Sequence, residues 1–509
     1  MYSTIQTANL NGIGTIPVAV EVDISTGMPV FDMVGYLSAE VREAKERVKT
    51  ALSNCGISLP AKRITINLSP GNVKKSGTGF DLPMAVALIQ SLGIVEEEST
   101  REILMIGELG LNGQIRPVTG ILPVVSDGKN RGISRFFVPS ENMQEAKLVH
   151  NVEVFGFEHF HDVIEFLQQG TYRPPALDGL LQPETQTVDF AEVNGQQYMK
   201  RACEVAAAGM HNLLMIGPPG AGKTMISERM ATILPPMTEE EQLEVSKIYS
   251  VCGLLGAQSG LIRDRPFRAP HHTITQPALA GGGKIPRPGE ISLAHQGVLF
   301  LDELPEFRKS TLEVLRQPME ERRVHISRLN GTVTYPSDFL LLASMNPCNC
   351  GYYPDMQKCR CTPGSIRRYL SQVSQPLVDR MDICVEAPQI SYTDLTLQTE
   401  NESSEQIRER VVDCQKIQLT RYSKETFHHN SRIPTAKIKQ YCGLGMEETK
   451  YMEHIYEKLA LTARTYHKIL RVARTIADLD HCEQIGLKHL NEAVCYRSVD
   501  DKFWGGLLL

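Results

Sequence analysis

A chain of 509 residues is too long for a single hydrophobic core, so several domains are expected. Hydrophobic residues make up 42% and charged residues 22%, as in ordinary globular proteins, and no apolar run reaches the roughly eighteen residues of a membrane span. The N-terminus lacks the basic and apolar segments of a secretory signal, which predicts a cytoplasmic protein with reduced cysteines. With a net charge of −6, a nucleic-acid surface requires locally concentrated basic residues.

Residues 1–170 are predicted to form a compact α/β domain. Short apolar runs such as RITINLSP and RFFVPS have the length of strands, and they alternate with amphipathic helical patterns such as SAEVREAKERVKTALSNCG. The next stretch, TYRPPALDGLLQPETQTV at 171–188, is proline-rich and aperiodic, which is typical of a linker. Strand and helix patterns alternate again over 189–395, and the remainder, 396–509, is almost entirely helical in pattern.

The strongest chemical motif is a phosphate-binding loop. The apolar run LLMI is followed by GPPGAGKT and then by a helical pattern, which is the context in which G-x-x-x-x-G-K-[ST] binds nucleotide phosphates. Backbone N–H groups would close around the phosphates, Lys223 would reach the β and γ oxygens, and Thr224 would ligate Mg²⁺. The predicted ATP-binding residues are Gly217, Pro218, Pro219, Gly220, Ala221, Gly222, Lys223 and Thr224.

Two later apolar runs end in polar residues that would complete such a site. The run GVLFLDE ends with Asp302 and Glu303. Asp302 would hold Mg²⁺ through water and so belongs to the predicted ATP-binding residues, whereas Glu303 would polarise the attacking water. FLLLASMN ends in Asn346, which either positions that water beside the γ-phosphate or is an ordinary strand-terminal asparagine. The motifs together predict Mg²⁺-dependent ATP hydrolysis.

Basic residues cluster in the 79-residue interval between Lys223 and Asp302. The stretch RDRPFRAPHHTITQPALAGGGKIPRPGE is rich in glycine and proline, which predicts a loop or short hairpin, and its charge makes it a candidate contact for a DNA phosphate backbone. Its adjacent histidines raise the alternative of a metal site, but neighbouring histidines in a loop more often form separate hydrogen bonds. The candidate DNA-contacting residues here are Arg265, Arg268, Lys284 and Arg287.

A β-hairpin is predicted over RRVHISRLNGTVTYPS. Two alternating apolar and polar runs flank Asn330-Gly331, a pair that favours a type I′ turn. The arginines of this hairpin are either further contacts for a DNA backbone or ordinary surface charge. They are Arg322, Arg323 and Arg328.

Four of the twelve cysteines lie within the segment NPCNCGYYPDMQKCRCT. Two C-x-C pairs separated by turn-forming residues would complete a tetrahedral thiolate site, for which Zn²⁺ is well suited. A redox switch and an inert loop are the alternatives, because C-x-C spacing is less usual than C-x₂-C and because Lys358 and Arg360 would favour a reactive thiolate. Arg360 is also a candidate DNA contact, and the predicted zinc ligands are Cys348, Cys350, Cys359 and Cys361.

The phosphate loop, LFLDE, the strand ending in Asn346 and the helical C-terminal region together resemble an AAA+ ATPase. That resemblance implies that Asn346 is the first sensor and that the predicted hairpin projects into the pore of a homo-oligomeric ring, with six subunits expected. SQPLVDRMDICVE is similar to the arginine-finger segment of the magnesium-chelatase and MCM branch, which implies that Arg380 reaches the γ-phosphate of a neighbouring subunit. Arg464 would be the second sensor, with surface ion pairs and helix-face charge as the alternatives for the two arginines.

The N-terminal segments NLSPGNVKKSGTGFDLPMAVALIQSLG and GELGLNGQIRPVTGILPVVSDGKNRG resemble the proteolytic domain of Lon proteases, which implies an S5-type α+β fold. By that resemblance the nucleophilic serine would fall on Gly79 and the catalytic lysine on Leu122, and Ser76 lies three residues too early. Without a nucleophile and a base within hydrogen-bond reach, serine–lysine hydrolysis cannot proceed. The domain is therefore expected to act in assembly, partner binding or regulation.

The order of a Lon-like domain, an AAA+ P-loop α/β domain with a hairpin and a cysteine cluster, and a helical lid resembles the ComM/YifB family over nearly the whole chain. The resemblance implies a hexameric DNA helicase that promotes branch migration during natural transformation, with single-stranded or branched DNA as substrate and recombination proteins as further partners. A magnesium-chelatase motor subunit is the alternative, although the Lon-like domain and the cysteine cluster are not expected there. An ATP-dependent peptidase is a third possibility, against which Gly79 and Leu122 argue.

Overall fold

The computed structural model describes residues 1–175, 188–256, 260–283, 286–328, 331–389 and 401–504. Lys284, the predicted turn residue Asn330 and most of the predicted linker lie outside these ranges, and so does the side chain of Arg328. Within the described ranges, no helix combines the length and the apolar character that crossing a lipid bilayer requires.

The N-terminal region is built around one mixed sheet. The strands of this region are β1 (Tyr2–Asn11), β2 (Gly14–Ser25), β3 (Val30–Val34), β4 (Arg63–Ser69), β5 (Ile103–Met105), β6 (Glu108–Leu109), β7 (Ile115–Arg116), β8 (Arg135–Pro139) and β9 (Glu153–Phe157). Its helices are α1 (Ala39–Asn54), α2 (Asp81–Ser91), α3 (Glu97–Thr100), α4 (Ile121–Asn130), α5 (Met143–Ala146) and α6 (Phe160–Gln169). Seven strands follow the order β3-β4-β2-β1-β5-β8-β9, with β1–β2 and β2–β4 antiparallel and the other pairs parallel.

Local sequence accounts for the main elements of this region. Buried and more exposed residues alternate along β2, because successive side chains of a strand point to opposite faces of the sheet. Helix α1 begins after Ser38, whose hydroxyl accepts a hydrogen bond from the N–H of Val41 as an N-cap. Helix α2 is buried along its whole length against β1 and β2, which explains its nearly all-apolar sequence.

Apolar packing closes the positions that correspond to a Lon serine–lysine pair. A Cβ atom added at Gly79 would lie 2.8 Å from Cγ1 of Ile106, so a serine side chain fits there only if Ile106 is displaced. Leu122 is fully buried in α4, in the same apolar cluster as Ile106. Neither position offers a nucleophile or a base, and apolar side chains lie against both.

The central region contains a parallel five-stranded sheet. The strands of the whole central region are β10 (Leu213–Ile216), β11 (Phe267–Arg268), β12 (Gly281–Gly282), β13 (Arg287–Pro288), β14 (Val298–Leu301), β15 (Arg323–Arg328), β16 (Gly331–Pro336), β17 (Leu340–Met345) and β18 (Ile383–Glu386). Its helices are α7 (Gln197–Gly209), α8 (Lys223–Arg229), α9 (Glu239–Cys252), α10 (Gln276–Ala280), α11 (Glu290–Leu293), α12 (Lys309–Glu313), α13 (Arg316–Glu321), α14 (Pro363–Leu370) and α15 (Gln375–Val378).

The central sheet has the strand order β11-β14-β17-β10-β18. Strands β10, β14 and β17 are buried at every residue, as continuous apolar runs in a parallel sheet covered on both faces require. Strands β15 and β16 form the predicted hairpin as a separate antiparallel ribbon, in which Arg323 lies opposite Pro336. A second small ribbon joins β12 to β13.

The C-terminal region is helical, as predicted. Its helices are α16 (Ser404–Arg421), α17 (Ile438–Tyr441), α18 (Met446–Lys458), α19 (Ala463–Leu479), α20 (Leu487–Cys495) and α21 (Ser498–Trp504). Helix α19 packs against α7, α16 and α20, so the lid shares one apolar core with the central region. Lys468 of α19 also donates to the carbonyl of Met381 at 2.6 Å and lies 3.3 Å from the Asp382 carboxylate.

Among the described residues, the N-terminal region contacts the central region through helix α4 and through the β1–β2 turn. Helix α4 packs on α9, where the N–H of Gly120 donates to the carbonyl of Ser250 at 3.1 Å and the Ser250 hydroxyl donates to the Glu145 carboxylate. At the second place, Gly12 in the β1–β2 turn lies against the backbone of Thr334 in β16. The Lon-like sheet is therefore in contact with the base of the central hairpin.

Replacing Gly79 by serine should destabilise the protein and create no peptidase. The added side chain collides with Ile106, and overpacking of this kind costs about 1–3 kcal/mol of unfolding free energy. Urea unfolding and peptide hydrolysis measure the two effects, with Gly71→Ser as the matched control because no heavy atom lies within 4 Å of a Cβ at Gly71. A Gly79→Ser protein as stable as the control would contradict this packing.

Candidate functional site

Three strand ends of the central sheet converge on one edge. Strands β10, β17 and β14 are adjacent and parallel, so their last residues, Ile216, Met345 and Leu301, end at the same edge. The N–H of Gly217 donates to the carbonyl of Met345 at 3.1 Å, which joins the start of the phosphate loop to the strand that precedes Asn346. The carboxyl edge of a parallel sheet is where open α/β proteins bind their ligands.

The segment GPPGAGKT forms a tight loop between β10 and α8. Gly220 and Gly222 have φ angles of +76° and +78°, in the left-handed region that glycine enters at little cost. Lys223 begins α8, and its ammonium group donates to the carbonyls of Gly217 at 2.7 Å and Pro218 at 2.9 Å. Burial lowers the pKa of Lys223, although Asp302 and Glu303 oppose this shift.

Asp302 is the centre of the polar network at this edge. Its carboxylate accepts hydrogen bonds from the Thr224 hydroxyl at 2.8 Å, from the Ser344 hydroxyl, and from the N–H of Glu303 at 2.9 Å. The two predicted Mg²⁺ ligands, Thr224 and Asp302, are therefore in direct contact and offer the oxygen donors that Mg²⁺ prefers. Sequence patterns did not single out Ser344, whose signal is a lone hydroxyl in the otherwise apolar strand β17.

Glu303 lies in a pocket of about 270 Å³ beside Asp302. Its side chain is 59% exposed, and one carboxylate oxygen lies 3.6 Å from Nδ1 of His272, whose ring is 4.0 Å from that of His271. The histidine pair therefore lines the same pocket as the two acidic residues. The sequence did not show this, because the histidines lie in a long insertion that precedes Asp302. The pocket is lined by Thr224, Glu228, Phe267, Ala269, Pro270, His271, His272, Phe300, Asp302 and Glu303.

Asn346 lies beside the phosphate loop. Its side-chain oxygen accepts a hydrogen bond from the Lys223 ammonium at 3.2 Å. Burial raises the pKa of Tyr369 in α14 above its usual value, and the backbone of Asn346 opposes this shift. The structure therefore brings together the lysine, the acidic pair and the asparagine that the sequence predicted separately.

Arg380 and Arg464 lie near one another at the opposite edge of the sheet. The carbonyl of Arg380 accepts from the side-chain amide of Asn212 at 3.2 Å, and Asn212 directly precedes β10, whereas the phosphate loop follows the end of β10. Both guanidinium groups converge on Glu320 of α13, with Arg464 at 3.3 Å. The two predicted arginines are thus brought together on one carboxylate that the sequence did not identify.

The arginines predicted to contact DNA divide into two groups. Arg265 is bound by two backbone carbonyls and by Glu241, and Arg268 forms two hydrogen bonds to Glu290 at 2.6 and 2.8 Å. Both arginines are thus engaged by carboxylates inside the fold, and their contact with a phosphate backbone stays a prediction. Arg322 is partly buried beside an aspartate at 3.6 Å. Among the members whose side chains the structure describes, Arg287, Arg323 and Arg360 are exposed.

The four cysteines of the segment 348–361 form one cluster. All four Sγ atoms lie within 4.8 Å of one another, with Cys348 at 3.3 Å from Cys350 and 3.8 Å from Cys359. A tetrahedron with Zn–S bonds of ~2.3 Å has S–S edges of about 3.8 Å, so this spacing fits a four-sulfur site. A hydrogen bond from the backbone of Tyr352 lowers the pKa of Cys350 to about 6, whereas burial and the neighbouring cysteines raise the pKa values of Cys359 and Cys361.

A parallel sheet in this strand order, with a phosphate loop after β10 and an Asp–Glu pair after β14, defines an AAA+ ATPase of the P-loop class. Comparison with known families agrees. Residues 189–395 match the family described as magnesium chelatase, subunit ChlI. Residues 20–142 match subunit ChlI of Mg-chelatase, and residues 401–497 match its C-terminal family.

Two bacterial proteins are similar to the chain over nearly its whole length. YifB of Salmonella typhimurium is 40% identical over 492 residues, and competence protein ComM of Haemophilus influenzae is 39% identical over 498 residues, each alignment covering 96% of both chains. Lon protease 2 of Bacillus subtilis is 26% identical over 147 residues, 28% of this chain and 26% of that protein. The chain belongs to the ComM/YifB family of magnesium-chelatase-like AAA+ proteins, which confirms the resemblance seen in its motifs.

Replacing Lys223 by alanine should weaken ATP binding roughly a hundredfold, because charge-assisted hydrogen bonds to the phosphates are lost. Titration with a fluorescent ATP analogue measures the affinity. Lys309→Ala serves as the control, since Lys309 is an exposed lysine of the same region. An unchanged affinity in the Lys223 variant would refute the assignment of the phosphate loop.

Proposed function

We propose that this protein is an Mg²⁺–ATP-driven ring motor, with six subunits, that acts on DNA and promotes branch migration when incoming DNA recombines during natural transformation. Membership of the ComM/YifB family supports the proposal, as does the name competence protein carried by one relative. The observation that carries the motor assignment is the separation of Arg380 from the phosphate loop of its own chain.

We divide the chain into a Lon-like domain at 1–170, a linker at 171–188, an AAA+ core at 189–395 and a helical lid at 396–509. Separate sheets in the first and third segments and the all-helical last segment support this division. The Lon-like domain would act in assembly or regulation, because its contacts reach both α9 and the hairpin.

At the nucleotide site, the phosphate loop would bind the phosphates while Thr224 and Asp302 hold Mg²⁺. Glu303 would take the proton of the attacking water, and Asn346 would orient that water. The contacts of Thr224 with Asp302 and of Lys223 with Asn346 support these roles, because they gather the required groups at one edge of the sheet.

Arg380 would act on the nucleotide of a neighbouring subunit. Strands β10 and β18 run parallel with Leu213 opposite Ile383, so Arg380 precedes β18 at the edge where β10 begins. The phosphate loop leaves the other end of β10, about 13 Å away at ~3.3 Å per residue. Arg464 shares Glu320 with Arg380, so both arginines would stabilise charge at the same neighbouring γ-phosphate. Each complete site would then lie between two neighbouring subunits, and in a closed ring every subunit has such a neighbour.

Two adjacent ribbons would carry the DNA contacts. Gly281 of the β12–β13 ribbon lies against the Ile326 side chain of the β15–β16 hairpin, so the ribbons form one projection. Arg287 and Arg323 are exposed on these ribbons, and Arg360 is exposed in the cysteine segment. Exposed arginines can pair with a phosphate backbone without loss of a structural ion pair. Lys284 and Arg328 stay predictions.

The cysteine cluster would hold a structural Zn²⁺. The sulfur spacing suits tetrahedral coordination, and the burial of Cys348 and Cys359 suits a closed site. Such an ion would link the C-x-C pair at the start of the segment to the pair at its end.

A DNA motor should hydrolyse ATP faster when its substrate is bound. With Mg²⁺, forked and four-way-junction DNA should stimulate steady-state hydrolysis more strongly than linear duplexes. The Glu303→Gln variant serves as the blank, because loss of a general base lowers turnover by roughly 10²–10⁴-fold while ATP binding persists.

Arg323→Ala should reduce the stimulation by DNA and leave the DNA-independent rate unchanged, with Lys309→Ala as the control. Hydrolysis that is indifferent to every DNA tested would overturn the proposed substrate and favour a chelatase-type motor or another remodelling ATPase.

Replacing Arg380 by alanine should lower ATP hydrolysis roughly a thousandfold, the range of an arginine finger, while ATP binding is retained. Mixing this variant with Lys223→Ala subunits should restore part of the rate, because each Lys223→Ala subunit supplies an intact Arg380 to an intact neighbouring phosphate loop. Arg316→Ala, which removes a surface arginine from α13, is the control. Mixed rings without any recovery would argue against action between subunits.

A further inference from the structure

We infer that the cysteine segment 348–361 supports the phosphate loop from outside, and that metal binding to its four thiols sets how well the site binds and hydrolyses ATP. The inference rests on the proposed zinc site and ATPase activity and is independent of DNA. Its basis is a chain of contacts between the cluster and the groups that face the nucleotide.

The first contact joins Gly351 to the phosphate loop. A Cβ atom added at Gly351 would lie 2.4 Å from Cδ and 3.2 Å from Cγ of Pro219, so the two loops touch with no room for a methyl group. The N–H of Gly351 donates to the carbonyl of Cys348 at 2.9 Å, and its φ angle is +83°. The turn that contacts Pro219 is therefore built directly on the first cysteine pair.

The second contact runs through the backbone. Cys348 is buried two residues after Asn346, whose side chain accepts from Lys223 at 3.2 Å. Any displacement of Cys348 would therefore move Asn346 relative to the phosphate loop.

Turn hydrogen bonds, such as that from the N–H of Cys359 to the carbonyl of Asp355 at 2.7 Å, shape the segment in place of regular secondary structure. Residues 346–362 are all described, and neither a helix nor a strand lies among them between the end of β17 and the start of α14. Without a cation only weak thiol contacts join the four cysteines, whereas a bound cation with four Sγ ligands would tie both ends of the segment to one point. Metal binding is thus the interaction best placed to keep Gly351 against Pro219.

Loss of the metal should leave the central sheet folded and damage the nucleotide site. Ångström-scale misplacement of a catalytic group lowers rates by up to roughly a hundredfold, so we expect a rise in the KM for ATP together with a fall in kcat of roughly tenfold to a hundredfold. Re-addition of Zn²⁺ should restore both constants.

A glycine substitution tests the contact while the metal ligands stay intact. Gly351→Ala should weaken ATP binding roughly tenfold through collision with Pro219 and should keep the zinc content of the wild type. Gly132→Ala is the matched control, because Gly132 has a φ angle of +88° but no heavy atom within 4 Å of an added Cβ. Equal ATP affinity in the two variants would overturn the proposed contact.

Metal removal tests the linkage itself. Protein purified without added zinc is analysed for metal, stripped with a chelator, and assayed for ATP binding and DNA-independent hydrolysis before and after Zn²⁺ is returned. About one zinc per chain, with ATP binding that falls and recovers with the metal, supports the inference. A stripped protein that binds and hydrolyses ATP normally overturns the linkage but leaves the zinc site, whereas a metal-free protein with full activity overturns both.

Discussion

The constraint on which the rest of the structure depends is the parallel alignment of the central strands. Because β10, β14 and β17 all run in one direction, the phosphate loop, Asp302 and Asn346 emerge at the same edge and meet there. The same alignment sends Arg380 to the opposite edge, where β18 begins. One sheet therefore places most groups of a hydrolytic site at one edge and Arg380 at the other edge. Because Arg380 lies away from the phosphate loop of its own chain, we expect a second subunit to supply the arginine of each site.

The opposite edge is held by charge buried between the sheet and the helical lid. Asp382 is enclosed, and although burial opposes its ionisation, Lys468 and His211 keep its pKa below the ordinary value. Removing one partner of such a pair leaves an unpaired buried charge, which costs about 3–5 kcal/mol of stability. Since Asp382 lies two residues after Arg380, the lid helix α19 and the arginine are mechanically joined, and Arg464 of the same helix reaches the same carboxylate, Glu320, as Arg380.

The N-terminal region uses apolar packing where its resemblance to Lon proteases would place a serine and a lysine. Ile106 lies against Gly79 and shares an apolar cluster with Leu122, and the surface around α4 contacts α9 through Ser250 and Glu145. Its first turn, at Gly12, contacts the hairpin that would face DNA. The N-terminal region is therefore in contact with both α9 and the hairpin of the central region.

The phosphate loop, the acidic pair, the hairpin and the helical C-terminal region could be predicted from the sequence, because local rules specify them: glycines where φ is positive, apolar runs that end in polar residues, and helical periodicity. The same rules did not reveal the ion pairs of Arg265 and Arg268, since basic composition does not show that carboxylates lie beside them. They also missed Ser344 and Glu320, and they did not show that His272 lies beside Glu303. The sequence by itself determined which chemical groups the site contains. Only the tertiary structure decided which groups touch, because those contacts join strand ends and insertions that are far apart along the chain.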